Sequence, residues 1–372
     1  MRHDAVVIGA GPAGSAAARL LAEAGWQVAL VEKAEFPRRK VCGEFISATS
    51  VPVLKACGVA ARFIAEAGPP VTRLGIYAGK TILAQRRERV WGRALGREHL
   101  DLMLRDAAVA AGTELYEPVE VTGLAHDNGI WTCALDDGRG LSARVVIAAC
   151  GSWNAKGPFA VASAAPHRSD LFAFKAHFTG AALPPGLMSL LAFPGGYGGL
   201  VESDKGRTSL SCCIRRDVLA RVRARHGGKA GEAVLAHILE TTRGAREALQ
   251  AATLEGGFLS TGPIHPGIRA RQERGVFFTG NIAGEAHPVI AEGISMAIQS
   301  SALLARLLLA HRGERYANEW RRRFAPRLYA ASAFANLAMR RPTRAASLML
   351  VRAVPGLLGA GARLSGKLAI AP

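Results

Sequence analysis

The stretch "GAGPAG" puts glycines at 9, 11 and 14, with Ala13 between the last two, directly after an apolar run from Ala5 to Ile8. At a strand-to-helix junction such a loop can cradle a pyrophosphate. Gly9 permits a tight turn, Gly11 lets the backbone approach phosphate oxygens, and Gly14 lets the helix pack onto the strand. An Ala-rich helical stretch and a second strand, Gln27 to Val31, lead on to Glu32 and Lys33. Glu32 can accept both hydroxyls of an adenosine ribose, and its charge would repel a 2′-phosphate, so the site suits a dinucleotide other than NADP. "KVCGEF", residues 40–45, comes next, with Cys42 and Gly43 behind the basic run Arg38, Arg39 and Lys40. A thiol among cations is a candidate nucleophile or redox group, although a solitary Cys also serves as a small buried hydrophobe.

A chain of 372 residues, 49% hydrophobic, can bury a sizeable core and suggests two or three domains, interleaved in sequence. The net charge of +18 would suit nucleic acid, an anionic membrane or an acidic cofactor. Much of the excess lies beyond Ser301, where arginines alternate with apolar residues and acidic residues are few. That pattern reads as amphipathic helices with basic faces, either solvated or resting on a membrane; no nucleic-acid motif accompanies it. Six cysteines with no C-x-x-C pair fit a reducing cytoplasm. "DAVVIGAGPAG" begins a strand at once, so no signal peptide is expected. "LMLVRAVPGLLGAGARL" is broken by Arg352 and Pro355, short of the roughly 20 apolar residues that a spanning helix needs. The expectation is a soluble cytoplasmic protein, with the basic C-terminal helices as a peripheral membrane contact. No metal site is expected.

Far downstream, "RGVFFTGNIAGEAHPVIAEGISMAIQSSALLARLLL" gives a strand from Val276 to Thr279, a Gly280-Asn281 turn, a loop, and a long helix from about Glu292. A second glycine-rich junction is what the far half of an extended cofactor such as FAD would need; NAD would not require it. The pair of motifs resembles the FAD-binding segments of the p-hydroxybenzoate hydroxylase-fold flavoproteins. By that resemblance residue 281 bonds the ribityl chain, with Asn281 where Asp is usual, and the loop through Pro288, Glu292, Gly293 and Ile294 lies against the flavin ring. Backbone N–H groups at that helix start would stabilise the charge of a reduced flavin. Arg97, opening "REHLDLML", matches an Arg of the family and is a cofactor contact, or else a partner for Asp101 at i+4. In "ACGSWN", Cys150 stands where the hydroxylases carry an Asp used for FAD and NAD(P)H, ahead of Gly151 and Ser152; NAD(P)H is the donor that the family implies.

"PRRKVCGEFIS" is similar to the Cys-Gly motif of the geranylgeranyl reductase branch. The likeness implies that Cys42 and Gly43 lie beside the flavin, that Arg39 and Lys40 face its phosphates or pyrimidine edge, and that Glu44 starts the next helix. "PGGYGGLVES" resembles the Pro-Gly-Gly-Tyr-Gly-Trp segment of those reductases, with Gly199 in place of Trp, which makes Tyr197 a cavity-lining candidate or a residue packed on a hairpin. His287, on the flavin loop, is an acid–base candidate. No Trp-x-Trp of the halogenases is present.

The fold expected is α/β. A discontinuous Rossmann-like FAD-binding domain (1–75, 95–155 and 270–310) would carry an inserted antiparallel-sheet substrate domain (76–94 and 156–269) and a basic helical segment (311–372). The function expected is an FAD-dependent oxidoreductase for an apolar small molecule: isoprenoid, polyketide or aromatic. Three readings stand at this point: C=C reduction; hydroxylation with NAD(P)H and O2 through a flavin hydroperoxide; and a flavin-bearing membrane-surface protein without turnover.

Overall fold

The computed structural model describes residues 2–86, 90–151, 158–160, 165–269, 272–273, 275–339 and 341–354, with 357, 361 and 366. Ser152 lies outside them. Strand β1 (Arg2–Ile8), a helix at Pro12–Glu23 and β2 (Val28–Val31) form the first unit. Apolar β1 and β2 are buried almost throughout, as strands of a parallel sheet covered on both faces must be. β1 pairs in parallel with β2 on one side and with β10 (Gly140–Ala148) on the other. β7 (Glu114–Tyr116) extends the sheet beyond β2. The distant strand Val276–Phe278 extends it beyond β10, and the hairpin of β8 (Val121–Asp127) and β9 (Ile130–Leu135) adds an antiparallel wing.

The second, seven-stranded sheet has the order β15-β11-β14-β13-β12-β4-β5, with β4 at Arg73–Ala78, β5 at Thr81–Arg86, β11 at Leu171–Thr179, β12 at Leu187–Phe193, β13 at Gly196–Glu202, β14 at Thr208–Arg215 and β15 at Thr253–Ile264. It begins at residue 73 rather than 76, and its one parallel pairing, β12 with β4, makes it mixed rather than purely antiparallel. Strand alternation gives it two faces. Phe174, Ala176 and Phe178 of β11 pack under the helices Arg216–His226, Ala230–Thr241 and Arg243–Leu249, while Ala173 turns to the opposite face. Glu44 does not begin a helix. β3 (Phe45–Ser47) follows it and pairs with β6 (Gly92–Ala94), because the buried Phe45 and Ile46 are drawn into the core as a strand.

The basic helix Tyr316–Met339 buries Tyr316, Trp320, Phe324, Leu328, Ala331 and Ala335, a stripe at helical spacing that docks on both layers. Among the described residues no helix is long and apolar enough to cross a membrane.

Helix Pro12–Glu23 lies so close to the end of β1 that a Cβ at Gly14 would stand 1.8 Å from the Gly9 carbonyl oxygen. Gly14→Ala is therefore expected to cost the apoprotein at least about 1–3 kcal/mol, measured by denaturant unfolding against the parent chain.

Candidate active site

The first glycine loop divides its tasks among residues. Gly9 has φ +103°, and a Cβ there would meet Ala149 O at 2.7 Å, so it is bound by conformation and space together. Gly11 differs: its φ is ordinary, at −73°, and a Cβ would meet only the ends of Arg97 and Arg38, at 3.7 and 3.9 Å. Nothing in the protein requires glycine at 11; a ligand against the backbone would. Ala13 touches Ala149 and Ala297, three small residues that bring the helix Pro12–Glu23, the end of β10 and the helix Gly293–Leu309 together. A Cβ at Gly280 would lie 2.8 Å from that of Ala13, so the second glycine junction abuts the first.

Around this loop the charges converge. Glu32, buried, accepts hydrogen bonds from Ala10 N at 2.8 Å, Ala34 N at 2.9 Å and Arg38 at 3.1 Å. Arg97 makes the i+4 bridge to Asp101, bidentate at 2.6 and 2.7 Å, and from there reaches toward Gly11 and the Cys42 sulfur. Lys40, although much of its side chain is exposed, has its pKa lowered by desolvation of its ammonium and then by the charges of Arg38 and Arg97. Three cations thus face one another across an open cradle, an arrangement completed by an anion such as a pyrophosphate.

The cradle opens into a cleft of about 570 Å3 that runs between the two sheets. Gly9, Gly11, Ala13, Glu32, Lys33, Arg39, Lys40, Cys42, Gly43 and Arg97 line it from the first half of the chain, and Gly280, Asn281, Pro288, Gly293 and Ile294 from the second. At Gly43 and Gly293 a Cβ would find nothing within 4 Å, again leaving room for a ligand. Cys150 lines it too, its thiol pushed up to about 11 by burial, so a neutral group stands where the hydroxylases carry a carboxylate.

Several residues have partners that the sequence reading did not assign. Lys33 pairs at the surface with Glu120, at 3.0 Å. Arg39 turns its guanidinium to His177 of β11, at 2.8 Å, and not to the glycine loop. Glu292 is fully buried, its carboxylate accepting from Ser47 at 3.2 Å, so at that position only the backbone can serve the cleft. Tyr197 does both things expected of it: it packs with Cys213, Ile264 and Val289 and lines the cleft. His287 stands behind Tyr197, 3.1 Å from its hydroxyl, and borders a smaller cavity of about 380 Å3. Burial lowers its pKa to about 4, so near neutrality it is a neutral imidazole supporting Tyr197. The sequence reading gave no role to Arg38, Lys175 or His177, and named Asp101 only as the i+4 partner of Arg97.

Residues 2–158 match a family model described as FAD binding domain. Menaquinone reductase of Mycolicibacterium smegmatis is 32% identical over 161 residues, 41% of this chain; the chain spans only 38% of that protein's length. Among solved structures, a myxobacterial chondrochloren halogenase, an FAD-dependent halogenase, superposes with a TM-score of 0.78 at 20% identity, over 97% of this chain and 90% of its own. A geranylgeranyl bacteriochlorophyll reductase-like protein of Thermoplasma acidophilum gives 0.71 at 20% identity, over 89% and 85%. At that identity these are likenesses of fold. The cradle, the second junction and these matches agree: residues 2–158 belong to an FAD-binding domain, and the chain shares the fold of an FAD-dependent halogenase and of a geranylgeranyl bacteriochlorophyll reductase-like protein.

Proposed function

We propose that the chain is an FAD-dependent oxidoreductase acting on an apolar small molecule held between the cofactor and the seven-stranded sheet. One observation supports this above the others. The glycine cradle, the Cys42–Gly43 stretch, the second glycine junction and the apolar Met188, Leu190 and Leu259 line one continuous cleft, so a group seated in the cradle extends into an apolar chamber.

Bound FAD supplies the redox chemistry. The chain's own residues bind and orient it. The start of helix Pro12–Glu23 offers backbone N–H groups and a positive dipole end to the pyrophosphate, with Arg38, Lys40 and Arg97 around it. The start of helix Gly293–Leu309 does the same for the negative edge of the ring. Tyr197, its pKa raised well above the ordinary value by burial and by Cys213, carries its proton at neutral pH and can present it at the cleft wall.

Reduction of a C=C bond or of a quinone-like ring in an isoprenoid lipid is the reading we place first. It is supported by the Cys42–Gly43 motif and by the similarity of 161 residues of the chain to menaquinone reductase. Oxygenation of an aromatic or polyketide ring with NAD(P)H and O2 is the second, supported by the fold shared with an FAD-dependent halogenase. Membrane-surface contact belongs to the same proposal, since Met349 and Leu350 of the basic helix Arg341–Ala353 are 73% and 56% exposed.

Gly11→Val is expected to leave the apoprotein folded by circular dichroism and to abolish flavin retention on purification; a full flavin complement would unseat the cradle. Mixing anaerobically reduced protein with oxygenated buffer should give slow, featureless reoxidation if the chain is a reductase, whereas a long-lived absorbance transient would move the assignment to oxygenation. Cys42→Ser should alter the flavin spectrum or turnover, and no change in either would remove Cys42 from the site.

A further inference from the structure

Lys175 has no exposed surface. It lies on β11, two residues beyond the cleft-lining Ala173 and on the same face of the sheet. Its ammonium is bonded to one oxygen of Glu44, and His177, two residues further on, meets the other oxygen at 2.8 Å. The remaining ring nitrogen of His177 lies 2.8 Å from the Arg39 guanidinium. Arginine only donates, so Nδ1 of His177 accepts, Nε2 carries the proton and donates to Glu44, and the ring is neutral in this arrangement. The ionised set is then one carboxylate, Glu44, against two cations, Lys175 and Arg39.

The carboxylate is strongly held. Burial alone would raise the pKa of Glu44; the hydrogen bond from His177 and the charge of Lys175 outweigh that and hold it at about 2. Its backbone sits at φ +61°, a region that costs a residue bearing a side chain, and the anchored carboxylate fixes it there. A fully buried ion pair adds little stability over an apolar pair of the same volume, so folding gives no reason for this one. Its position gives one. Glu44 and Arg39 flank Cys42 and Gly43, and all four line the cleft.

We propose that Lys175 and His177 are positioning residues for the flavin: through Glu44 they hold the Cys42–Gly43 stretch in place and, with Arg39, leave the cleft net positive there, favouring the negative charge of the reduced cofactor. This rests on the ring lying beside Cys42–Gly43, as in the function proposed above.

The test is the midpoint potential of the bound flavin in the full-length holoprotein, measured by dye-equilibrated reduction. Glu44→Gln should raise it, Lys175→Met should lower it, and the double variant should return toward the parent value. A purely structural role would lower the melting temperature of both single variants and leave both potentials unmoved, or move them in the same direction; either result overturns the proposal. Should a single variant fail to fold, the double variant leaves no unpaired buried charge, and Arg39→Met, at an exposed position, should fold and lower the potential. Gly43→Val separates the two ideas, because a side chain there meets only open cleft. If it leaves flavin retention and potential untouched, the ring lies elsewhere and the underlying placement fails. If it expels the flavin while the charge variants leave the potential unmoved, only the present inference fails.

Discussion

The structure depends on one close approach, that of the first helix to the end of the strand before it. With a Cβ at Gly14 only 1.8 Å from the Gly9 carbonyl, the crossing exists solely because two hydrogens stand where side chains would be. The neighbouring contacts share this economy of volume. Ala13, Ala149 and Ala297 let a third element, the helix Gly293–Leu309, lean against the first two, and Gly280 brings the second junction against Ala13. Larger residues at these points would separate the two helix starts, and one extended cofactor could then no longer span them.

The walls of the cleft differ in chemistry. On the side of the parallel sheet the surface is hydrogen-bonding and cationic, with Arg38, Lys40 and Arg97 restrained by Glu32 and Asp101. On the side of the seven-stranded sheet it is uncharged, with Met188, Leu190 and Leu259 beside the hydroxyls of Ser189, Tyr197, Ser211, Ser260 and Thr261. The buried Glu44 cluster sits where the two meet, tying residues before position 45 to a strand well over a hundred residues later.

How much could be read from the sequence depends on where each signal resides. The glycine loop, the second junction and the start of the Arg97 helix are backbone demands, and backbone demands leave residue types at fixed spacing. The strands and helices around them were accordingly legible, as was the i+4 bridge from Arg97 to Asp101. Glu44 was not: neither its left-handed backbone nor its partners Lys175 and His177 leave a local pattern, since the contact spans 131 residues between an acid and a base that could each have been a surface charge. Arg39 was legible as a cation and not as to its partner, and Glu292 as a helix start and not as a buried acid.

The strand Val276–Phe278 pairs in parallel with β10, which precedes it by more than a hundred residues, and the helix after it closes the cradle. The order of synthesis is therefore not the order of the finished sheet. As the chain emerges, β1, β2, β7, β9 and β10 can associate, but Val146–Ala148 of β10 present an unpaired edge until the whole second sheet has been made. The binding cleft is among the last features to be completed, and its loop-closure entropy is met only then. A nascent chain of this kind has reason to capture its cofactor late, and capture would lock together segments drawn from opposite ends of the polypeptide.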